Sequence, residues 1–397
     1  MPVSRVSFPD QALTSRAKGA KQVLEQGRAA AGRSVVPPMR GEPATDPAER
    51  VRLTARALGF DAVGIARADV PLDRDIARYD AFIANGMHGE MRYLARNRGL
   101  RERLDADGLL RGAKSVVCVA RRYPRLPDVG PSGIVGSIAR YARGRDYHGF
   151  LRRRIRRLAA YLRSFGSPDH PVRARPLCDD EPVLERAWAA RAGLGFVGKN
   201  GMLIVPGLGS MVLLGEVVTT LDLPADVPMA ERCGTCTRCL DACPTKAFAA
   251  PFVLDPRRCV AYLTIEHRSA IPADLAEGVG AHLFGCDDCQ NCCPFNAGEA
   301  ARARDSAADG DPFSPLDRWS SVRLADLLSL DEAGWRALAQ GSPLKRSGRA
   351  GIARNAAIVL ANRRDRSALG ALRDAADRHD SDMVRQAAAW AVEQLAR

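Results

Sequence analysis

Cys233-Gly-Thr-Cys236-Thr-Arg-Cys239-Leu-Asp-Ala-Cys243-Pro244 decides the architecture of this chain. The spacing C-x2-C-x2-C-x3-C-P is that of bacterial ferredoxins, in which three thiolates hold one [4Fe–4S] cluster and the fourth crosses to a second. A partner run is therefore required, and it stands at Cys286, Cys289, Cys292 and Cys293-Pro294. Aligned on the Cys-Pro ends, Cys293, Cys289 and Cys286 fall in register with Cys243, Cys239 and Cys236, and Leu283 occupies the remaining cysteine position. Cys259, the one unassigned cysteine between the runs, fills that vacancy. One cluster is thus expected on Cys233, Cys236, Cys239 and Cys293, the other on Cys243, Cys259, Cys286 and Cys289. Spacing alone also permits Cys292 in place of Cys293, and Pro294 favours Cys293. Structural zinc and a disulfide framework are the bland alternatives, but zinc sites seldom interleave two four-cysteine sets with a Cys-Pro at each end.

Working outward, 397 residues suffice for two or three domains. No stretch approaches the ~20 apolar residues that span a bilayer. Iron-binding thiolates need a reducing compartment, so a soluble cytoplasmic protein is expected. Residues 1–46 are rich in Ala, Arg, Gly, Pro and Ser and read as a disordered or weakly helical extension without a catalytic part. Residues 47–228 mix helices and strands without regular βαβ alternation, which makes this part α+β. Pro47 to Gly59 and Gly149 to Phe165 read as helices. Asp61 to Ala66 and Lys114 to Ala120 read as strands, the latter central. Met202 to Val205 and Ser210 to Thr220 read as a hairpin across Pro206-Gly-Leu-Gly209. The ferredoxin-like module takes residues 229–300. Residues 301–397 carry alanine-rich helices at Gly351 to Leu360, Ala368 to Ala376 and Met383 to Leu395, whose 3.6-residue period suggests a HEAT-like stack.

The net charge of +13 is concentrated. Nine arginines face one acid, Asp146, between Arg140 and Arg163, and six basic residues face none from Leu344 to Arg364. One such run is ordinarily a solvated helix face, whereas two point to a polyanionic partner. Gly193-Leu-Gly195-Phe-Val-Gly198 has the letters of a dinucleotide fingerprint without its βαβ frame, so it reads as a turn approaching another backbone or a large planar cofactor. Cys118 and Cys178 read as buried apolar residues.

Clusters move single electrons and do not by themselves transform a substrate, so the domain ahead of them must hold the acceptor. Here four further blocks matter: Arg140-Tyr-Ala-Arg-Gly-Arg-Asp-Tyr-His148, Asp179-x-x-Pro182-Val-Leu-Glu-Arg186, Ala192-Gly-Leu-Gly-Phe-Val-Gly-Lys199 and Tyr262-Leu-Thr-Ile-Glu266. With Gly285-Cys-Asp-Asp-Cys-Gln290 they resemble epoxyqueuosine reductase over roughly Val51 to Trp390. The resemblance implies cobalamin, resting as cob(II)alamin, beside two [4Fe–4S] clusters, and reduction of epoxyqueuosine in the anticodon loop of tRNA. It implies a ferredoxin- or flavodoxin-type low-potential donor as well. Asp179 matches the family's proton donor, and burial beside an apolar corrin would raise its carboxyl toward neutrality. Asp180 and Glu181 follow it where the family has a small residue, and both read as solvated acids near a helix start. By the same resemblance Arg101, Ala139, Asp179, Leu203, Leu214, Ala261, Cys286 and Asp287 line the cobalamin site. No histidine stands in an Asp-x-His-x-x-Gly pattern, so the cofactor is expected base-off without a protein ligand. His148, His267 and His282 read as structural or substrate-facing. Lys345, Arg346, Arg349 and Arg354, aided by the Arg152 to Arg157 helix, are the expected tRNA contacts. A reductive dehalogenase-like enzyme and a ferredoxin-type electron-transfer module are the competing functions. The first lacks its twin-arginine signal here, and the second leaves the Asp179 block without a task.

Overall fold

Asp46 starts the first helix by accepting a hydrogen bond from the Ala48 N–H at 3.0 Å, and Pro47 presets the first helical φ. The computed structural model describes residues 46–105, 107–124, 138–179, 181–297 and 313–397. The N-terminal extension expected over residues 1–46 lies outside them save for Asp46, as does Asp180. Helix α1 (Pro47–Ala57) leads into β1 (Ala62–Arg67), α2 (Asp73–Ala84), α3 (Arg98–Glu102), β2 (Ser115–Arg122), α4 (Tyr147–Arg163), β3 (Ala174–Leu177), α5 (Glu185–Arg191), β4 (Phe196–Val197), β5 (Leu203–Ile204) and β6 (Val212–Thr219). Strands β1-β2-β6-β3 form one sheet in that order, every pair antiparallel.

Period-two alternation gives this sheet two buried faces. Val117, Val119 and Val217 point to a core shared with Val51 of α1 and with Leu151, Ile155 and Leu158 of α4. Val116, Cys118 and Val218 point the other way, to Ile76 of α2 and Trp188 of α5. Gly215 in β6 is required by this packing, because a Cβ there would lie 2.3 Å from Ile155 Cδ1. Cys118 and Cys178 are buried as expected. β2 is a central strand, and α4 starts two residues earlier than the sequence suggests, capped by Asp146.

The expected hairpin does not form. β5 pairs instead with β4, and only a bridge between Val205 and Gly209 joins it to the segment ahead of β6. Both edges of β6 are already taken by β2 and β3, while Gly195 lets the chain before β4 pass so close that a Cβ would stand 2.1 Å from the Ile204 carbonyl oxygen. The glycine-rich segment therefore serves backbone approach.

The cysteine module follows as α6 (Arg238–Asp241), β7 (Phe248–Ala250), β8 (Val253–Leu254), α7 (Val260–Ile265), α8 (Ala273–Val279) and α9 (Asp288–Asn291). Behind it stand α10 (Glu332–Ala339), α11 (Gly348–Asn362), α12 (Leu369–Arg378) and α13 (Asp382–Ala396). A single core runs from Tyr262 and Leu275 of the module to Ile352, Leu372 and Leu395 of these helices, so residues 46–397 are one folded unit. Val384, Ala387, Ala388, Ala391 and Leu395 are the buried stripe of α13. Among the described residues no helix is long and apolar enough to cross a membrane.

Arg354 departs from its expected role. It is fully buried in α11, and its guanidinium donates to the carbonyls of Leu263, His267 and Ser269 and to Asn355 Oδ1. Composition marks it as surface charge, but it is an internal strut and offers nothing to a polyanion. Arg354→Ala should cost about 3–5 kcal/mol, since it strands the buried Leu263 carbonyl and Asn355 Oδ1, loses two part-buried bonds and leaves a cavity. Arg349→Ala, which loses partly exposed pairs with Asp380 and Glu332 and a 3.3 Å bond to the Leu330 carbonyl, should cost about 1 kcal/mol. Urea unfolding midpoints of the two variants check the contrast.

Candidate active site

Two adjoining cavities, of about 360 Å³ and 170 Å³, meet along Tyr147, Met202, Val212 and Leu213. They lie where the first residue of α4, the β5–β6 connection and the cysteine module converge. The smaller is walled by Asp179, Glu185, Leu203 and Leu214. The larger is walled by Tyr141, Ala261, Asp287 and four cysteines, Cys243, Cys259, Cys286 and Cys289.

Asp179 follows β3 at φ 57°, a left-handed conformation that aspartate tolerates better than most residues. Its N–H donates to Glu185 Oε1 at 2.9 Å, which ties the turn to the start of α5. Its Oδ2 accepts from the Tyr147 hydroxyl at 2.7 Å and lies 3.2 Å from His148 Nε2. His148 Nδ1 is 2.6 Å from Asp146 Oδ1, and the other oxygen of Asp146 accepts from Lys345 Nζ at 2.6 Å. A continuous chain Lys345, Asp146, His148, Asp179 thus runs from the surface to the cleft.

These contacts fix the charges. Hydrogen bonds to Asp146 and Asp179 push the imidazole of His148 up to about 9, against the opposing effect of burial. For Asp179, burial acts upward, but hydrogen bonds from His148 and Tyr147 and the nearby charges outweigh it, and the carboxyl sits below its ordinary value. At neutral pH the shared proton therefore rests on His148. Asp146 is likewise held well below the carboxylate range, chiefly by His148.

The thiols fall into two neighbourhoods. Burial pushes Cys286 up, with the charges of Cys259 and Cys289 adding to it, and Cys243 acts in the same sense on Cys259. Cys239 is raised by burial and then by Cys293 and Cys236, and Cys292 has those same neighbours. Cys289 lies between the groups, next to both Cys259 and Cys239. Asp287 is buried, and its Oδ2 accepts the Arg140 N–H at 2.8 Å, joining the second cysteine run to the segment that leads into α4. Burial raises its carboxyl.

Of the expected cofactor-site residues, Asp179, Leu203 and Leu214 line the smaller cavity and Ala261, Cys286 and Asp287 the larger. Arg101 and Ala139 line neither. Arg101 is buried with its guanidinium over the Tyr79 ring and Nε without a partner among the described residues, and Ala139 donates its N–H to Phe284 just behind the wall. The lining suits a large, mostly apolar group and includes no histidine. Lys345 and Arg346 are exposed beside the cleft, Arg346 paired with Glu266 at 2.8 Å, whereas Arg349 is turned to Glu332 and Asp380. Sequence reasoning missed the roles of Tyr147, Tyr141, Glu185 and the Asp146–His148 pair, although four of these five residues stand in the quoted Arg140 to His148 block and Glu185 in the Asp179 block. His282 Nε2 lies 3.0 Å from Asp288 Oδ2 and 3.8 Å from Cys286 Sγ, a structural placement next to a thiol.

Residues 232–296 match the 4Fe-4S double cluster binding domain model. With thiols forming one wall of a cleft and a carboxylate backed by an imidazole another, the fold and site define an iron–sulfur oxidoreductase. Residues 103–179 match the model described as epoxyqueuosine reductase QueG, DUF1730. The epoxyqueuosine reductase of Gloeobacter violaceus is 43% identical over 330 residues, covering 82% of this chain and 97% of that protein. That of Xanthomonas campestris is 39% identical over 355 residues, covering 88% and 96%. A crystal structure of epoxyqueuosine reductase with an epoxyqueuosine-modified tRNA-Tyr stem loop superposes with TM-score 0.78 at 30% identity, covering 88% of this chain and 90% of that one. The chain belongs to the epoxyqueuosine reductase family and is an oxidoreductase of tRNA queuosine synthesis. Family membership sets aside both competing functions.

The electrostatics are testable directly. In NMR titration His148 should lose its proton near pH 9, and Asp146→Asn should return it toward 6.5. The sign follows: stability contributed by the His148 contacts is fully present below about pH 6.5 and is lost as pH rises through about 9.

Proposed function

We propose that the reduction takes place in the double cavity, with cobalamin bound there and two [4Fe–4S] clusters behind it. One cluster is held by Cys243, Cys259, Cys286 and Cys289, the other by Cys233, Cys236, Cys239 and Cys293. The observation that carries this reading is the convergence of four thiols and the Asp179 carboxyl on one continuous cleft. Turning an epoxide into an alkene takes two electrons and two protons and releases the oxygen as water. The cleft receives electrons from the thiol side and protons from the Asp179 side.

Cobalamin would supply a strong low-potential reductant facing the epoxide. Leu203, Leu214 and Ala261 would hold it by apolar contact, with Cys286 and Asp287 at its edge. The lining of the two cavities includes no histidine, so apolar contact rather than a protein ligand would hold the group. Asp179 presents its Oδ2 to the departing oxygen, and His148, charged at neutral pH, returns the proton that Asp179 gives up. Filling the cleft removes water from the half-exposed Asp179 side chain, which favours transfer of the shared proton onto it. Tyr147 fixes the carboxylate's orientation and Glu185 its backbone. A relative from Bacillus subtilis has been described with its aspartate catalytic loop swung out of the active site, which supports an aspartate in this role.

The substrate tRNA, bound in a solved relative as a stem loop, meets this chain at Lys345 and Arg346 with help from the exposed Arg153, Arg156 and Arg157 of α4. Arg349, with a side chain only 18% exposed against more than half for Lys345 and Arg346, contributes little. The reading also includes a cytoplasmic enzyme served by a ferredoxin- or flavodoxin-type donor. The domain plan follows residues 47–228, 229–300 and 301–397, with HEAT-like stacking in the last supported by the packing of α13 on α11 and α12.

The decisive experiment is Asp179→Asn in enzyme loaded with cobalamin and iron. Both cofactors should be retained while turnover of epoxyqueuosine-containing tRNA falls by at least ~10²-fold. Full activity would remove Asp179 from the mechanism. On the ligands, Cys259→Ala should lose four irons per chain, roughly one cluster's content, and Cys292→Ala none. Loss of iron in Cys292→Ala with none in Cys293→Ala would exchange those two. On the partner, Lys345→Glu with Arg346→Glu should weaken tRNA binding and flatten its dependence on salt, with cofactor content unchanged.

A further inference from the structure

The two thiol neighbourhoods differ in their relation to solvent. Around the second cysteine run Leu283, Phe284, Gly285, Asp287 and Gln290 are buried. Around the first, Met229 to Arg232, Gly234, Thr235, Thr237 and Arg238 are all exposed. The first group is thus the outer end of the electron path and the second, which lines the cleft, the inner end.

Next to this outer end the β7–β8 hairpin holds Phe252 and Val253 at 39% and 41% exposure. Phe252 sits at φ 69°, a conformation that a bulky aromatic residue seldom adopts, and its N–H is bound by the Lys199 carbonyl at 2.9 Å. The ammonium of the same lysine donates to the carbonyls of Gly234 and Cys236 at 2.6 and 3.1 Å. One residue therefore fixes an exposed apolar tip against the outer cysteine loop. The charges around it are unbalanced. Between residues 229 and 258 five cations, Arg232, Arg238, Lys246, Arg257 and Arg258, stand against three carboxylates, Glu231, Asp241 and Asp255, and of these Asp255 is paired with Arg257. Arg232, Arg238 and Lys246 are exposed and have no ion pair among the described residues.

We propose that this face is the docking surface for a small acidic one-electron carrier. The inference rests on the double-cluster reading above and adds where the electrons enter. A small apolar tip held against a cation-rich cysteine loop is suited to a transient redox encounter, which buries little area and relies on charge for its on-rate. Two reduced carriers each give up one electron here in succession. The two electrons pass inward from the outer to the inner cluster, and the two protons arrive separately through the Asp179 side, so that epoxide, two reduced carriers and two protons become alkene, water and two oxidised carriers. The Lys345 and Arg346 surface is left for tRNA, and both partners can be bound together.

The test uses enzyme reconstituted with both clusters, an acidic flavodoxin in its reduced state as probe, and dithionite as a reductant that needs no docking. In the parent, the second-order rate of cluster reduction by flavodoxin should fall steeply with ionic strength. Replacing Arg232, Arg238 and Lys246 by Glu should lower that rate at least ~10-fold and abolish its salt dependence, with calorimetric affinity for flavodoxin reduced in parallel. Reduction by dithionite and iron content should not change. Phe252→Ser should weaken binding while leaving the salt dependence intact. A parent rate independent of salt overturns the proposal whatever the variants do, and so does a triple variant that flavodoxin reduces as fast as the parent. Competition by tRNA for the flavodoxin site also overturns it and makes the face an RNA surface. A parent enzyme that takes up fewer than two clusters contradicts the double-cluster reading itself, and the docking surface falls with it.

Discussion

Side by side in one buried helix, Arg354 and Asn355 reach out of α11 to backbone carbonyls that frame the inner cysteines. Arg354 takes those of Leu263, His267 and Ser269, and Asn355 Nδ2 donates to Thr264 at 2.8 Å and Leu283 at 2.9 Å. Thr264 in turn accepts the Gly285 N–H on its hydroxyl, one residue before Cys286. Cys259 stands at the start of α7 and Cys286 after Gly285, so this polar knot sets the separation of two thiols that come from distant parts of the chain. A buried network of this kind is stable only when every member is satisfied. That requirement makes the last quarter of the chain part of the redox centre rather than an appendage to it.

The cleft gathers its chemistry by the same means from the other side. A β-sheet covered on both faces gives a rigid platform, and the turns at its edge carry Asp179 at the end of β3 and Tyr147 and His148 at the start of α4. The carboxylate is held by a hydroxyl and an imidazole that belong to one dipeptide, so its orientation and its charge are set together. Asp287 closes the loop by accepting the Arg140 N–H, which couples the approach to α4 to the second cysteine run.

Much of this was legible in the sequence, for stated physical reasons. Metal-binding thiols must recur at fixed spacing, so the double-cluster module could be read without a structure. β2 and α4 carry strong period-two and 3.6-residue patterns, and both appear within two residues of the expected bounds. The hairpin at Pro206 to Gly209 failed because turn chemistry is local, whereas the pairing of β5 with β4 depends on a glycine approach eight or more residues away in the chain. Arg354 was misread because composition reports charge and not burial. The partners that hold Asp179 were not legible because they lie some thirty residues upstream, and no local spacing links them to it.

The buried helix has a consequence for how the protein comes into being. Translation delivers the sheet and its flanking helices first, and these can pack on their own cores while the rest is still on the ribosome. The carbonyl braces around Cys259 and Cys286 have no donors until α11, beginning at Gly348, has emerged. The bracing of Cys259 and Cys286 is therefore complete only when nearly the whole chain has been made, and a truncation short of α11 would keep every cysteine while removing the donors that brace the backbone beside two of them.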